Sequence, residues 1–218
     1  MTEILIIRHG QTPWNVKRWV QGWTDIELNE HGQAQAAELA AFLASNQEDS
    51  ALAIDALYSS DLKRAVQTAE QLGQALKMDV ALHSGVRERR YGMLEGLPFD
   101  ELKTRAPREA KIWHDRDPDA VIEGAETLRE FQTRIVHALN ELARKHPSER
   151  LAVVTHGGAM DIIWRQASGV ALENPQRAIL LNASINRIQI DPNTSEWSLI
   201  EWGNIDHLKT SSHNDIRA

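Results

Sequence analysis

The chain contains no cysteine, which excludes disulfides, thiolate metal sites and a cysteine nucleophile. It also lacks a long apolar run. The hydrophobic segment nearest the start ends at Arg8, too short for a membrane span or for the apolar core of a secretion signal. Met1-Thr2-Glu3 carries an acid and no Lys or Arg, so a cytoplasmic location and no membrane partner are expected. Metal-ligand spacings are missing as well: there is no His-Glu-x-x-His, no His-x-His and no Asp-x-Asp loop after a strand. Neither a zinc hydrolase nor a magnesium-dependent aspartyl-phosphate enzyme is indicated, and no residue is assigned to a metal. No nucleotide-binding P-loop, internal repeat or low-complexity tract is present. Excess positive charge is absent too. A net charge of −7 and a pI near 5.7 argue against a protein that coats nucleic acid or anionic lipid, although a basic pocket can sit inside an acidic shell.

What is present is enough for one domain: 218 residues, 42% of them hydrophobic and 25% charged, in the range of an ordinary globular core. Residues 1–206 are expected to form that domain and residues 207–218 a polar C-terminal tail. The most informative feature occurs twice. Ile4-Leu5-Ile6-Ile7-Arg8-His9-Gly10 and Leu151-Ala152-Val153-Val154-Thr155-His156-Gly157 each place a histidine after a short aliphatic strand and before glycine. Such runs are buried strands of a parallel sheet, and ligands of open α/β sheets bind just beyond the carboxyl ends of those strands. Both imidazoles are therefore expected at one cleft, with the glycines permitting a sharp turn and a close backbone approach.

Between these two points strands alternate with helices. Residues 11–28, rich in Trp, Gly, Asn and Asp, lack a helical period and are expected as a long functional loop. A helix starts near Asn29 and carries Ala36, Leu39, Ala40 and Leu43 on one face, ending over residues 46–50. Residues 56–59 follow as a strand, then a helix capped by Asp61 with a stripe of Leu62, Ala65, Val66, Ala69, Leu72 and Leu76. A short strand is expected at 80–83, then loops and short helices to Gly124, then a long helix opened by a Thr127/Glu130 capping box. The helix after Gly157-Gly158 should turn its positive amino end toward the cleft. Residues 185–191 and 196–202, joined by Pro192-Asn193, are expected as a hairpin, whose edge offers a route to a homodimer. The expected fold is α/β: a three-layer α/β/α sandwich on a mainly parallel sheet.

Four ordered blocks carry a family resemblance. They are Arg8-His9-Gly10-Gln11-Thr12-x-Trp14-Asn15 with Gln21-Gly22-Trp23-x-Asp25-x-x-Leu28, then Ser59-Ser60-Asp61-Leu62-x-Arg64-Ala65-x-Gln67-Thr68-Ala69, then Arg87-Glu88, and then Thr155-His156-Gly157-Gly158. Together they resemble the histidine phosphatase superfamily, the phosphoglycerate mutase-like enzymes, over about residues 4–190. The resemblance implies that His9 is the nucleophile that becomes phosphohistidine and that Arg8, Arg64 and His156 surround the phosphoryl group. It further implies Asn15 as an additional phosphate donor and Glu88 as the proton donor. Gln21, Gly22 and Gly157 are candidates for the phosphate pocket and Arg89 and Tyr91 for substrate contact. Surface charge is the alternative for Arg89 and Tyr91, and for the loop at Gln21 and Gly22 it is a segment pinned to the core by Trp23.

Elementary chemistry agrees with these roles. Phosphoryl transfer needs an in-line nucleophile, positive charge on the equatorial oxygens and a proton for the leaving alkoxide. Cations near His9 would disfavour its protonation, and arginine's planar fork suits a phosphate. The expected activity is hydrolysis of a small phosphorylated metabolite without a cofactor. Glu88-Arg89-x-Tyr91-Gly92-x-Leu94-x-Gly96 is close to the cofactor-dependent phosphoglycerate mutases, which would bring in 2,3-bisphosphoglycerate. Those mutases resemble one another in carrying an adjacent arginine pair in the middle segment, where this chain has only the isolated Arg105, Arg108 and Arg116. A non-catalytic phosphate-binding module is the remaining alternative.

Overall fold

Side-chain alternation along β1 (Thr2–Arg8) sends Ile4 and Ile6 to one face of the sheet and Leu5 and Ile7 to the other, with all four fully buried. The same alternation in β4 (Arg150–Thr155) divides Leu151 and Val153 from Ala152 and Val154. A strand buried on both faces requires a layer of helices on each. The computed structural model, which describes residues 1–48 and 52–208, supplies both layers.

The sheet has six strands in the order β3-β2-β4-β1-β5-β6, adding β2 (Ala56–Ser59), β3 (Val80–Leu82), β5 (Ile185–Ile190) and β6 (Trp197–Asn204). The first four run parallel, and β5 and β6 complete the sheet antiparallel. The sheet is therefore mixed: parallel at its centre, antiparallel at the C-terminal side. On one face, α2 (Glu30–Ser45) contributes Leu39 and Leu43, and α3 (Lys63–Leu76) contributes Ala65, Ala69 and Leu72. The other face is covered by α6 (Leu128–Lys145), through Phe131, Ile135, Leu139 and Leu142, and by α7 (Gly157–Ser168), through Ala159, Ile162 and Ile163.

Local differences from the sequence pattern have physical causes. The loop at residues 11–28 contains a short helix, α1 (Pro13–Lys17), capped at Thr12 and started by Pro13; one turn is too brief to show a period. Asp61 does not cap α3. Its carboxylate takes Arg87 at 2.6 Å, and the Lys63 N–H donates instead to Asp25 Oδ1 at 2.7 Å from the preceding loop. The Thr127/Glu130 capping box forms as expected. Between residues 92 and 115 lie three-residue 3₁₀ turns and the short helices α4 (Leu102–Arg105) and α5 (Pro107–Asp115), which build a third apolar cluster on Val20, Leu94, Leu102 and Ile122.

The polar tail does not begin at His207. His207 stacks on Phe42 with ring centroids 5.4 Å apart and Leu208 is buried among α2 and α3 residues, while residues 209–218 lie outside the described residues. Among the described residues no helix is long and apolar enough to cross a membrane.

Candidate active site

His9 and His156 leave the carboxyl ends of adjacent parallel strands β1 and β4, so the register that pairs Arg8 with Thr155 brings the two imidazoles together. Their ring centroids are 5.2 Å apart and both side chains are buried. Neither following glycine has a left-handed backbone. Gly10 is needed because a side chain there would strike the Gly32 backbone, whereas Gly157, the first residue of α7, leaves room for a Cβ in ordinary contact with the Arg8 guanidinium.

The hydrogen bonds settle the histidine tautomers. His9 Nδ1 lies 2.7 Å from the Gly10 carbonyl, which can only accept, so the proton sits on Nδ1 and the Nε2 lone pair is left for chemistry. His156 has the opposite tautomer. Arg64 Nε donates to its Nδ1 at 3.2 Å, so its proton sits on Nε2, 2.7 Å from Ser60 Oγ. Burial above all, then Arg64 and Arg8, holds the His9 pKa well below 6.5; burial, Arg64, His9 and Arg8 do the same for His156.

Arg64 is drawn out of solvent by its own hydrogen bonds. Although it lies off the apolar stripe of α3, it is 1% exposed, donating to His156, to the Thr24 carbonyl at 3.0 Å and to the Gly22 carbonyl at 2.8 Å. Burial lowers its pKa to about 10, with Glu88 and Asp25 acting in the opposite direction, so it remains a cation at neutral pH. Arg8 Nη1 donates to the Leu180 carbonyl.

Glu88 is held at the amino end of α7. Its Oε2 accepts from the Gly158 N–H at 2.9 Å and its Oε1 from the Arg89 N–H at 2.8 Å. A helix amino end favours negative charge, and here one of the protein's own side chains supplies it. Gly158 leaves the space that this carboxylate occupies, since a Cβ there would overlap Glu88 Oε1.

A cavity of about 330 Å³ adjoins these groups and is lined at this end by Arg8, Asn15, Gln21, Gly22, Glu88 and Gly157. His9, Arg64 and His156 are not part of its lining; each is one covalent or hydrogen-bonded step behind Arg8, Gly22 or Gly157. Asn15 Oδ1 accepts from the Thr12 N–H and hydroxyl, both at 3.0 Å, which leaves its amide group as the donor toward an anion. Arg89 and Tyr91 also line the cavity, but Arg89 Nε donates to the Glu126 carbonyl and Tyr91 stacks on Trp113 at 4.5 Å. Burial lowers the Arg89 pKa and raises that of Tyr91. Among the described residues no cluster of acids and histidines could hold a metal ion.

Two positioning residues escape the sequence pattern. Glu95 accepts from the Trp23, Thr24 and Tyr91 N–H groups and from the Thr24 hydroxyl, at 3.0–3.1 Å. The loop at 22–24 is thus gripped by Arg64 through its carbonyls and by Glu95 through its amides. Arg134, on α6, donates to the carbonyls of Gly85, Arg87 and Glu88 and pairs with Glu126. Glu95 sits inside the Leu94-x-Gly96 motif, the one signal that could have marked it. Arg134 occupies an ordinary polar helix position and gives none.

Paired neutral imidazoles, two buried arginines and one helix-anchored carboxylate thus stand together at one cleft, a set that combines a nucleophile, positive charge and a proton carrier, as phosphoryl transfer requires. Comparison with known proteins gives the family. The model of the histidine phosphatase superfamily (branch 1) matches residues 4–205, and the chain belongs to that superfamily. It is 34% identical over 209 residues to a phosphoglycerate mutase-like protein 4 of Arabidopsis thaliana, covering 95% of this chain and 87% of that one. A metal-independent phosphoserine phosphatase of the same plant is 32% identical, with 96% and 84% covered. Among solved structures, a phosphoserine phosphatase mutant of Entamoeba histolytica in complex with phosphoserine superposes with a TM-score of 0.82 at 26% identity, covering 96% of this chain and all of that one (100%).

Proposed function

We propose that the protein is a phosphomonoesterase that hydrolyses a small phosphorylated metabolite through a phosphohistidine at His9, with no cofactor. The observation that carries this reading is the His9 tautomer: Nδ1 is tied to the Gly10 carbonyl, and Arg8 and Arg64 act electrostatically on the ring whose Nε2 is open. The Nε2 lone pair attacks phosphorus as the ester P–O bond breaks, and Glu88 in its protonated form gives its proton to the departing alkoxide. Glu88, now a carboxylate, takes a proton from water; the hydroxide attacks phosphorus, the P–N bond breaks, and inorganic phosphate and neutral His9 are regenerated. Arg8, Arg64 and the Asn15 amide stabilise the equatorial oxygens. His156 acts through Arg64, whose Nε–H donates to its Nδ1, since its own Nε2–H is directed to Ser60.

The test is phosphate release across sugar phosphates, phosphoglycerates, phosphoserine and nucleotide phosphates, with His9→Ala as the blank. Turnover accompanied by acid-labile phosphate on His9 supports the reading. No turnover and no label would shift it to a non-catalytic phosphate-binding module. A phosphoglycerate mutase is the second reading, favoured by mutase-named relatives. Against it, Arg105 and Arg108 are exposed and outside the cavity lining, and the two arginines that do line it beside the aromatic wall are engaged by the protein: Arg116 by Asp161 at 2.7 Å and the Leu172 carbonyl, Arg89 by the Glu126 carbonyl. Rapid 2-phosphoglycerate formation from 3-phosphoglycerate with a trace of 2,3-bisphosphoglycerate, with little free phosphate, would decide for the mutase.

A further inference from the structure

Beyond the phosphate end, the cavity changes character. Trp14, Trp19, Tyr91, Phe99 and Trp113 line it while remaining only half-buried, and Phe131 closes its base. These are six of the twelve aromatic residues in the chain. They also pack on one another: Trp14 and Trp19 meet edge to face at 5.4 Å, and Phe99 meets Trp113 at 5.7 Å. A wall of half-exposed aromatic rings is costly in water unless something apolar covers it.

The arginines on the same wall already have partners in the protein. Arg116 is paired with Asp161, and Arg18 lies 3.7 Å from Asp100. Arg89 is turned to the Glu126 carbonyl and over the Tyr91 ring, and Asp117 adds a negative charge to the lining. Arg116, Arg18 and Arg89 are thus already engaged with acceptors of the protein, and a carboxylate or a second phosphate would have to compete for them. The size of the cavity points the same way. Pockets of about 300–1,000 Å³ take ligands with many heavy atoms, and a three-carbon acid phosphate would leave most of about 330 Å³ unfilled.

We infer that this cavity selects phosphomonoesters whose alcohol carries an uncharged, ring-sized apolar group, seated against Trp14, Trp19 and Trp113 while the phosphate faces Arg8 and the His9 pair. The inference rests on the phosphatase reading of the His9 end. In the chemistry of the cell such a substrate must come from phosphorylation of an apolar alcohol, and the product is that free alcohol.

The experiment compares 2-(naphthalen-2-yl)ethyl phosphate with ethyl phosphate, phosphoserine and 3-phosphoglycerate. All four are primary alkyl phosphates, so the leaving alkoxides are similar and the difference reads binding of the alcohol. The expected result is a kcat/KM for the naphthyl ester about 10-fold to 100-fold above ethyl phosphate, the scale set by burying an aromatic ring. Trp113→Ala and, separately, Trp14→Ala should each lower that ratio by about 10-fold, two sites guarding against a variant that fails to fold. A ratio near one, or a preference for phosphoserine or 3-phosphoglycerate, overturns the inference and leaves the phosphatase reading standing. Calorimetric titration of the His9→Ala protein with the naphthyl and ethyl esters separates the two failures. If the wild type hydrolyses nothing, the catalytic reading falls, and tighter binding of the naphthyl ester still supports the inference, whereas equal affinities overturn it.

Discussion

Arg64 shows how much one side chain can organise. Its three nitrogens reach His156 and the carbonyls of Gly22 and Thr24, a fork that an ammonium group cannot reproduce. Arg64→Lys is expected to lower kcat/KM by about 10²–10³-fold, measured by phosphate release on the best substrate of the screen. Gly158 is the matching case for the carboxylate. A methyl group there would push aside the end of the Glu88 side chain rather than backbone, so Gly158→Ala should reduce kcat strongly with a small change in Tm, and equal kcat values would contradict the role of Glu88. The histidines also set a pH limit. In the proposed mechanism His9 attacks only when neutral, and its pKa is held well below 6.5, so the acid limb of kcat/KM should fall below pH 6.5. A limb centred at or above that value would show that burial and the two arginines do not act as described.

Elements gain their ends and their anchors from residues whose partners are distant in sequence. The capping box of α6 is local and readable, since Thr127 and Glu130 are three residues apart and each satisfies the other's backbone N–H. Thr127→Ala should cost about 0.5–2 kcal/mol of stability, checked as a shift in the denaturation midpoint with an unchanged slope. The start of α3 was not readable in the same way: Asp61 has the right chemistry, yet Arg87 takes it and Asp25 caps instead. Glu95 extends the point to loops. Its Oε2 accepts from both the N–H and the hydroxyl of Thr24, and the amide nitrogen of glutamine cannot accept from either. Glu95→Gln should therefore destabilise the protein by about 1–3 kcal/mol and lower kcat through the loosened Gly22 and Thr24 carbonyls that hold Arg64. A loss of stability alone, with kcat retained, would show Glu95 to be structural only.

Across the whole molecule, buried neutral histidines couple folding to pH. His9, His156 and His207 all have pKa values lowered from 6.5, in each case chiefly by burial. The unfolded chain binds protons at these sites as pH falls through 6.5, whereas the folded chain does not. Stability is thus fully present above 6.5 and is lost as pH falls from there toward the folded pKa values. Thermal unfolding followed between pH 7.5 and about 5 should show a falling Tm, with a smaller fall in a His207→Gln protein. An unchanged slope in that variant would remove His207 from the account.

The amino-acid order was sufficient for the two strand-to-histidine junctions, the helix stripes, the α6 cap and the choice of His9, Arg8, Arg64, Glu88 and His156 as residues that the fold gathers at one cleft. These are legible because period, turn chemistry and motif order are local or collinear properties. It was silent on which tautomer each histidine holds, on Arg64 being buried, on Glu95 and Arg134 as anchors, and on His207 and Leu208 joining the core. It also gave no sign that Trp14, Trp19, Phe99 and Trp113 share one cavity with Tyr91. Each of these depends on groups brought together across long stretches of chain, where burial and hydrogen-bond partners are properties of packing and not of any segment. The register of β1 against β4 turned two similar junctions into one site with two different imidazoles.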